Sequence, residues 1–488
     1  MPTSYPCAHD LYTQLDAIVA LGAPRSSAEL LELENRALAA GRMLAALLVA
    51  GALEKAMRDD ELRASAKEAA TEQSEQPLRG SGSRYVDVRL AGGGSVRLEA
   101  AYLNIDRRGR RGRKRKRGGR GTKGGGCYPV LMALGIHERA TPWVQETCVR
   151  QLVLSHSVLG AQEELERQGL KMNIKTLTRI GYSLAGTLAG QRDSDLAQAL
   201  MAQPAQQGPL AGQRVMVSVD GGRVKTRTPT RRGPKRKNGR RGFSVEWREP
   251  RGLYIAILDE EGNPVSDPAP WLDMAIRGAD DFTNMLTGYL FLLGASAAKE
   301  LVVIADGATW LWNRLDAMLE RLGLEAGKVT RIVDFYHACE YLTEALDLCK
   351  SLKGKARGRM FKKLRRWLRA GELSRVIETL KGWARGRRAS AMNKVIAYFS
   401  KRTAMLAFNQ FEAKKLPLGS GAIESTIRRV LNLRFKGPGI QWRVHNVDNL
   451  LHVRALALSG RLRESVLRAL GEPCADHGVP ALDGAIAP

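Results

Sequence analysis

The residues best placed to do chemistry in this sequence are carboxylates that close short apolar runs. Arg214-Val-Met-Val-Ser-Val-Asp220-Gly-Gly and Leu301-Val-Val-Ile-Ala-Asp306-Gly-Ala share one design: a strand-like stretch, an aspartate, then glycine. A third run, Thr330-Arg-Ile-Val-Asp334-Phe-Tyr-His337, closes on an acid and an imidazole. Strands buried on both faces read as continuous apolar runs, and acids at their ends are held at one edge of the sheet. Carboxylate oxygens gathered there suit a shared hard divalent cation, and glycine allows a phosphate or metal to come close. A single Asp-Gly is most simply a capped turn; two alike, on consecutive apolar strands of a very basic chain, favour the chemical reading.

A third acid is supplied by Pro417-Leu-Gly-Ser-Gly421-Ala-Ile-Glu424-Ser-Thr-Ile-Arg-Arg. Ser420 or Gly421 can begin a helix, which puts Glu424 in its first turn, near the positive end of the helix dipole. Glutamate in a first turn is often only a cap, so this position is a weaker sign than the two aspartates.

The elements that must position these acids occupy a chain of 488 residues, room for roughly three domains at about 150 residues each. Lys and Arg number 77 against 50 Asp and Glu, a formal charge of +27 and a pI near 10.1. A polyanionic partner is expected, because such charges displace counterions from phosphate backbones; a merely soluble basic surface or a ribosome-associated protein has the same composition. The six cysteines, at 7, 127, 148, 339, 349 and 474, form no CxxC pair and no zinc quartet, so reduced thiols are the simplest account. The apolar run Met43–Leu53 is short of the ~20 residues of a membrane span, Arg42 interrupts it upstream, and MPTSYPCAHD is not a signal peptide. A chain working inside the cell, without a membrane, is expected.

Leucines at helical spacing predict a helix from about Ala28 to Ala70, for packing or self-association. Tyr85–Leu90 and Ser95–Glu99 alternate around Gly92-Gly-Gly94 and predict a hairpin. Arg107–Gly126 is almost wholly Arg, Lys and Gly, an open segment that could order along phosphates or simply be solvated. Ser157–Gly169 and Asn173–Tyr182 fit a helix-turn-helix, its second helix capped by Asn173 and presenting Lys175, Thr176, Thr178 and Arg179; an ordinary helical hairpin fits too. A linker is expected around Gln203–Gly212. Lys225–Arg241, with Arg231, Arg232, Lys235 and Arg236, reads as an extended loop on phosphates. Farther on, Met360, Phe361, Leu364, Trp367 and Leu368 form the apolar face of a helix whose other face carries Lys362, Lys363, Arg365, Arg366 and Arg369. After Glu424, the side chains of Arg428, Arg429, Arg434, Lys436, Trp442 and Arg443 could grip a strand and stack a base, with Trp442 equally at home in the core.

Taken together and in order, VSVDGG, IADGATW, DFYHACEYL, GSGAIES and RFKGPGIQW resemble transposases of the ISKra and ISLre insertion-sequence groups, relatives of the Mutator-like DDE families, over roughly Arg214–Arg461. The resemblance implies an α/β fold: an RNase H-like mixed-sheet catalytic domain with an all-helical insertion, preceded by a mainly helical DNA-binding region. It implies Asp220, Asp306 and Glu424 as catalytic metal ligands, with Asp334 and His337 matching an acid-x-x-His element beside the site. His337 is then either a catalytic contact to DNA or a satisfied histidine orienting backbone or Asp334. The expected cofactor is a pair of Mg²⁺ ions, Mn²⁺ being a substitute, with Asp220 bridging them. Water first frees a 3′-hydroxyl at the element's end, which then attacks target DNA. Expected partners are transposon-end and target DNA and further copies of the chain, in the bacterial cytoplasm at the nucleoid. The expected division is 1–82 helical, 83–126 hairpin and basic tract, 127–202 helix-turn-helix, 213–350 first catalytic part, 351–412 helical insertion, 413–470 last catalytic part and 471–488 tail.

A tyrosine recombinase is the nearest rival, on the strength of Arg443, His445, His452 and Arg454, but no tyrosine follows Tyr398 to act as nucleophile. A nuclease or junction resolvase on the same fold, and a non-catalytic nucleic-acid-binding protein using the arginine tracts alone, are the other readings.

Overall fold

The alternation around Gly92 makes the first sheet of the protein. In the computed structural model, which describes residues 8–74, 76–105, 126–229, 242–307 and 309–471, β1 (Leu78–Arg89) and β2 (Ser95–Ile105) pair antiparallel with Arg89 opposite Ser95. The contacts divide the chain into two units, Met1–Leu188 with Arg461–Pro488, and Ala189–Gly460.

In the first unit, α1 (Ala8–Val19), α2 (Ser27–Arg58) and α3 (Asp60–Glu72) precede the hairpin. The single helix expected over 28–70 breaks at Asp59, whose carboxylate accepts from the Leu62 amide at 2.9 Å and so caps α3. Ala46 and Ala50 of α2 pack on Val86, Val88, Leu90, Val96 and Leu98, the inward-facing residues of the hairpin. Gly92 lies at φ +83, and a Cβ there would fall 2.2 Å from the Arg42 carbonyl, so the hairpin turn needs glycine to seat on α2. α2 itself runs straight through Arg42 for 32 residues and, against expectation, is long and apolar enough by length and composition to cross a membrane. After α4 (Pro129–Ala133), three helices share a core: α5 (Pro142–Leu154), α6 (Val158–Arg167) and α7 (Ile174–Met201), through Val144, Cys148, Leu165, Leu177 and Ile180.

In the second unit the apolar run ending at Asp220 becomes β3 (Arg214–Gly221). It is followed by β4 (Val224–Pro229), β5 (Phe243–Arg248), β6 (Arg251–Leu258), β7 (Trp271–Ala275), α8 (Ala279–Leu292), β8 (Glu300–Ala305), α9 (Thr309–Leu322) and β9 (Val329–Val333). Five of these strands form one mixed sheet in the order β7-β6-β3-β8-β9. β6 is antiparallel to both its neighbours, whereas β8 is parallel to β3 and β9 to β8. β3 is thus the central strand, and its interior residues Val215, Met216, Val217, Ser218 and Val219 are all buried.

The chain continues through α10 (Phe335–Leu348), α11 (Gly354–Arg369), α12 (Leu373–Trp383), α13 (Ala389–Ser400) and α14 (Phe408–Ala413). Leu364 and Leu368 of α11 are fully buried while Arg365 and Arg366 are exposed, the amphipathic division read from the sequence. α15 (Gly421–Thr426) passes through a π-helical stretch, Ile427–Asn432, into α16 (Leu433–Phe435), and α17 (Val444–Leu458) follows. The last helix, α18 (Leu462–Ala469), packs on α5 in the first unit.

Two further expectations need correction. The Gln203–Gly212 segment is not a free linker: Leu210 is buried, its amide donates to the Leu293 carbonyl at 3.0 Å, and Gly212 donates to Ala297 at 2.8 Å. Its backbone groups find partners, which a solvated linker's do not need. Nor is Lys225–Arg241 a loop throughout, because β4 pairs antiparallel with β5 from Val224↔Arg248 to Pro229↔Phe243. Residues 230–241, with Arg231, Arg232, Lys235 and Arg236, and most of the Arg107–Gly126 tract, lie outside the described residues.

Candidate acidic active site

Asp220 sits at the end of the central strand, opposite Gly252 of β6 and one residue past Val219, which is in register with Ala305 of β8. Asp306 follows Ala305 directly, so strand pairing alone brings the two aspartates to the same end of the sheet. The Asp220 carboxylate accepts from the amide of Gly221 at 2.6 Å. The turn that carries Asp306 is held from outside: Trp312 Nε1 donates to the Asp306 carbonyl at 3.0 Å, and the Arg402 guanidinium donates to the Gly307 carbonyl at 3.0 Å.

Glu424 lies in the first turn of α15 with its side chain exposed. Its helix packs across the ends of β3 and β6. Glycine makes that approach possible: a Cβ on Gly222 would fall 2.3 Å from Leu431 Cδ2, and one on Gly252 would meet Met274 at 2.9 Å and Ile427 at 3.2 Å. The π-helical stretch that follows leaves the Arg429 carbonyl to accept from Arg454 Nε at 2.7 Å.

Asp334 ties these pieces together. It is 1% exposed and is the N-cap of α10, where its Oδ1 accepts from the His337 amide at 2.7 Å. Its other oxygen accepts from Ser420 twice, from the backbone amide and from Oγ at 2.7 Å. The Asp334 amide donates to the Ala305 carbonyl and the Phe335 amide to the Leu418 carbonyl, each at 2.9 Å. One buried residue therefore joins the strand that delivers Asp306 to the loop that starts the Glu424 helix. The sequence places Asp334 as an acid beside the site, and in the structure its carboxylate bonds backbone amides and the Ser420 hydroxyl.

The His337 ring does not bond Asp334. Nδ1 stands 3.2 Å from Glu340, and the imidazole meets Tyr341 edge-on, with Tyr341 stacked on Tyr398 at 3.7 Å. It is near enough to Asp220 to oppose the rise of that carboxyl.

Electrostatics mark the three acids as a group. Burial pushes the Asp220 carboxyl above its ordinary value; the Gly221 amide pulls it back, Asp306 and Glu424 raise it further by like-charge repulsion, and His337 opposes them. Asp220 and Asp306 line a cleft of about 270 Å³ with Gly222, Arg223, Glu249, Arg251 and Trp310. Among the described residues, no three His, Cys, Asp or Glu side chains are already gathered as tightly as a bound metal ion would gather them. The donors nevertheless fit a hard cation: all are oxygens, and the excess negative charge that raises Asp220 is what such a cation relieves.

Arg223, Glu249 and Arg251 belong to the cleft but went unnoticed in the sequence, because β6 was not read as a strand and its first residue was not seen to flank Asp220. Trp310 was visible only as a letter of IADGATW. The β4–β5 hairpin was missed as well. Its exposed side carries Lys225 over the Trp247 ring at 5.1 Å and Arg227 over Phe243 at 5.8 Å, with Trp247 58% exposed.

The residues expected to contact DNA are scattered. Lys175 is exposed and Thr176 half-buried at the start of α7, where Asn173 caps the helix by accepting from the Thr176 amide at 2.9 Å. Arg179 is in an ion pair with Glu138, and the second helix runs on past Tyr182, α7 being 28 residues long. Arg365, Arg366, Arg428 and Lys436 are exposed. Arg434 and Trp442 are corrections: both are buried, with the guanidinium 5.0 Å from the indole, and Trp442 Nε1 donates to the Phe435 carbonyl at 3.2 Å. The Trp442 backbone bonds Lys225 and Arg227 of β4, which draws the ring inward.

No family model matches this sequence, and no curated protein matches it. Among solved structures, a chain of the Drosophila P element transposase strand transfer complex aligns over 67% of this chain and 80% of its own length, at 12% identity and a TM-score of 0.24. An overlap that loose decides neither fold nor activity.

Proposed function

We propose that this protein is a metal-dependent polynucleotidyl transferase, a transposase that cuts DNA at the ends of an insertion sequence and joins them to target DNA. The observation that carries the reading is that Asp220 and Asp306, 86 residues apart in sequence, line one cleft at the end of a mixed sheet, with Glu424, 118 residues farther on, near enough to raise the Asp220 carboxyl by like-charge repulsion. The strand order and the single antiparallel strand β6 support an RNase H-like sheet.

Asp220, Asp306 and Glu424 would hold Mg²⁺, or Mn²⁺ in its place. Bound divalent ions supply Lewis-acid stabilisation of a phosphodiester and an activated water at neutral pH. The chain's own residues do the rest. Asp220 must be ionised to act, which its burial opposes and a cation restores. Arg223 and Arg251, at the walls of the cleft, are placed to meet phosphate oxygens, Arg251 being braced by its bond to the Arg277 carbonyl and by Trp310 at 5.0 Å. The exposed basic and aromatic side of β4–β5 suits a phosphate backbone with bases stacking on Trp247 and Phe243. Asp334 and Ser420 keep the Glu424 helix in place.

The test is a cleavage and strand-transfer assay on duplex DNA taken from the ends flanking the gene, with Mg²⁺ or Mn²⁺. Asp220→Ala, Asp306→Ala and Glu424→Ala should each abolish cleavage while leaving DNA binding intact, and Trp247→Ala should weaken binding. An active Glu424→Ala protein refutes the third ligand. Metal-independent binding with no cleavage by the unaltered protein refutes the enzymatic reading in favour of a nucleic-acid-binding protein.

A further inference from the structure

The turn that carries Asp306 leans on the helical insertion. Tyr398 of α13 is only 5% exposed, and its ring lies so close to the turn that a Cβ on Gly307 would fall 2.7 Å from Cε2 and 3.5 Å from the hydroxyl oxygen. Tyr341 of α10 stacks on that ring at 3.7 Å, and the Arg402 guanidinium lies 4.6 Å from its centroid while donating to the Gly307 carbonyl. Gly307 also borders a cavity of about 710 Å³, so on this side the turn rests on Tyr398 and Arg402 instead of on filled core. One polar group there goes unused. The Tyr398 hydroxyl oxygen is buried and, among the described residues, has no hydrogen-bond partner. A buried phenol ordinarily finds one, because a polar group stripped of water and left unpaired costs stability.

We propose that Tyr398 is a positioning residue of the acidic site, its hydroxyl donating to the Asp306 carboxylate when that carboxylate serves a divalent ion. The inference rests on the reading of Asp306 as a metal ligand. Trp312 and Arg402 bond the carbonyls of Asp306 and Gly307, which fixes the main chain of the turn; neither of these bonds sets the rotation of the carboxylate. A carboxylate that gives one oxygen to a cation has a second that needs a donor, and a donor already held in place by its own packing lets the ligand keep its orientation at little cost in freedom. Tyr398 meets both needs. Its ring is fixed by Tyr341 and the wall of the turn, and its O–H has no competing acceptor among the described residues. Burial foremost, then Tyr341, keep the phenol protonated, and the Asp306 charge is near enough to add to that. Tyr398 and Arg402 both belong to the insertion, so the affinity of the site for a cation depends on how the insertion is seated.

Calorimetric titration of the full-length protein with Mn²⁺, in the absence of DNA, tests this, with melting temperatures read alongside. Tyr398→Phe keeps the ring, its stacking and its place against Gly307 and removes only the hydroxyl. Because that hydroxyl has no partner without metal, the metal-free melting temperature should stay the same or rise, whereas the Kd for Mn²⁺ should rise about tenfold or more. Asp306→Ala should weaken Mn²⁺ binding by itself and leave nothing for Tyr398→Phe to change, so the two effects should not add. If Asp306→Ala weakens binding but Tyr398→Phe binds Mn²⁺ as tightly as the unaltered protein, melts lower without metal, or weakens binding equally in the Asp306→Ala background, the inference is overturned and the acidic site stands. An unaltered protein that binds no Mn²⁺, or an Asp306→Ala protein that binds it normally, overturns the metal-site reading and the role of Tyr398 with it.

Discussion

Replacing Asp334 should cost more stability than replacing any proposed ligand of the acidic site. The Asp334→Ala substitution removes an N-cap, which costs about 1 kcal/mol. It also leaves the buried Ser420 amide and hydroxyl without their charged acceptor, a loss of about 1.5–3 kcal/mol. The two together come to about 3 kcal/mol, a large fraction of the 5–15 kcal/mol by which folded domains are typically stable. Ser420→Ala keeps the amide bond and should cost about 1 kcal/mol. Asp334→Asn can still cap α10 through its carbonyl but turns an NH₂ toward the Ser420 amide, so it should fall between the two. Urea unfolding gives the stabilities, and the cleavage assay, run well below the melting temperature, gives the activities. Because the bonds to Ser420 fix the start of the Glu424 helix, activity should fall further than the unfolded fraction accounts for, and Asp334→Ala with Ser420→Ala should be less harmful than the sum of the single changes. A loss under about 1 kcal/mol for Asp334→Ala, or strictly additive effects, would refute the clamp.

Asp220→Asn should raise the melting temperature of the metal-free protein at neutral pH while abolishing catalysis. The folded state holds the Asp220 carboxyl above its ordinary value, so this group's contribution to stability is full below the unfolded value and is lost as pH rises through the folded one; the gain from asparagine should therefore shrink as the pH is lowered. Mg²⁺, which favours the ionised carboxylate, should raise the melting temperature of the unaltered protein more than that of Asp220→Asn, as read by a pH and metal series in scanning fluorimetry, with the cleavage assay reading the loss of catalysis. Asp273 is the opposite case. Burial alone would raise its carboxyl, but His452 at 2.9 Å and Arg192 at 3.3 Å outweigh burial and hold it well below the usual range. Its stabilisation is present above the unfolded value near pH 4 and is lost only as pH falls toward the depressed folded value, so Asp273→Ala should cost about 3–5 kcal/mol at pH 7, and the cost should diminish in strong acid, as measured by denaturation across pH.

The sequence by itself determined the strands that carry the aspartates and the helix that carries Glu424. Val215–Val219, Ser218 apart, and Leu301–Ala305 are apolar on both faces because they are buried on both faces, and Gly421 begins the helix of Glu424 although the Ser420 hydroxyl, instead of capping it, donates to Asp334. It determined the β1–β2 hairpin through strict alternation around Gly92, and the two-faced character of α11. Other features depended on partners far away in the chain. Nothing local in Asp334-Phe-Tyr-His337 says that its carboxylate serves Ser420, 86 residues on, instead of the His337 ring. Arg434 and Trp442 have the composition of a nucleic-acid surface, and only the pairing of Trp442 with β4 draws them inside. RGLYIAIL is a short apolar run of the kind a buried helix shares, and it takes β3 on one side and β7 on the other to make it a strand. Periodicity and capping are written in neighbouring residues, whereas burial, ion pairing and the approach of distant acids exist only once strands and helices have met, which is why acids at strand ends are legible in the sequence and their mutual electrostatics are not.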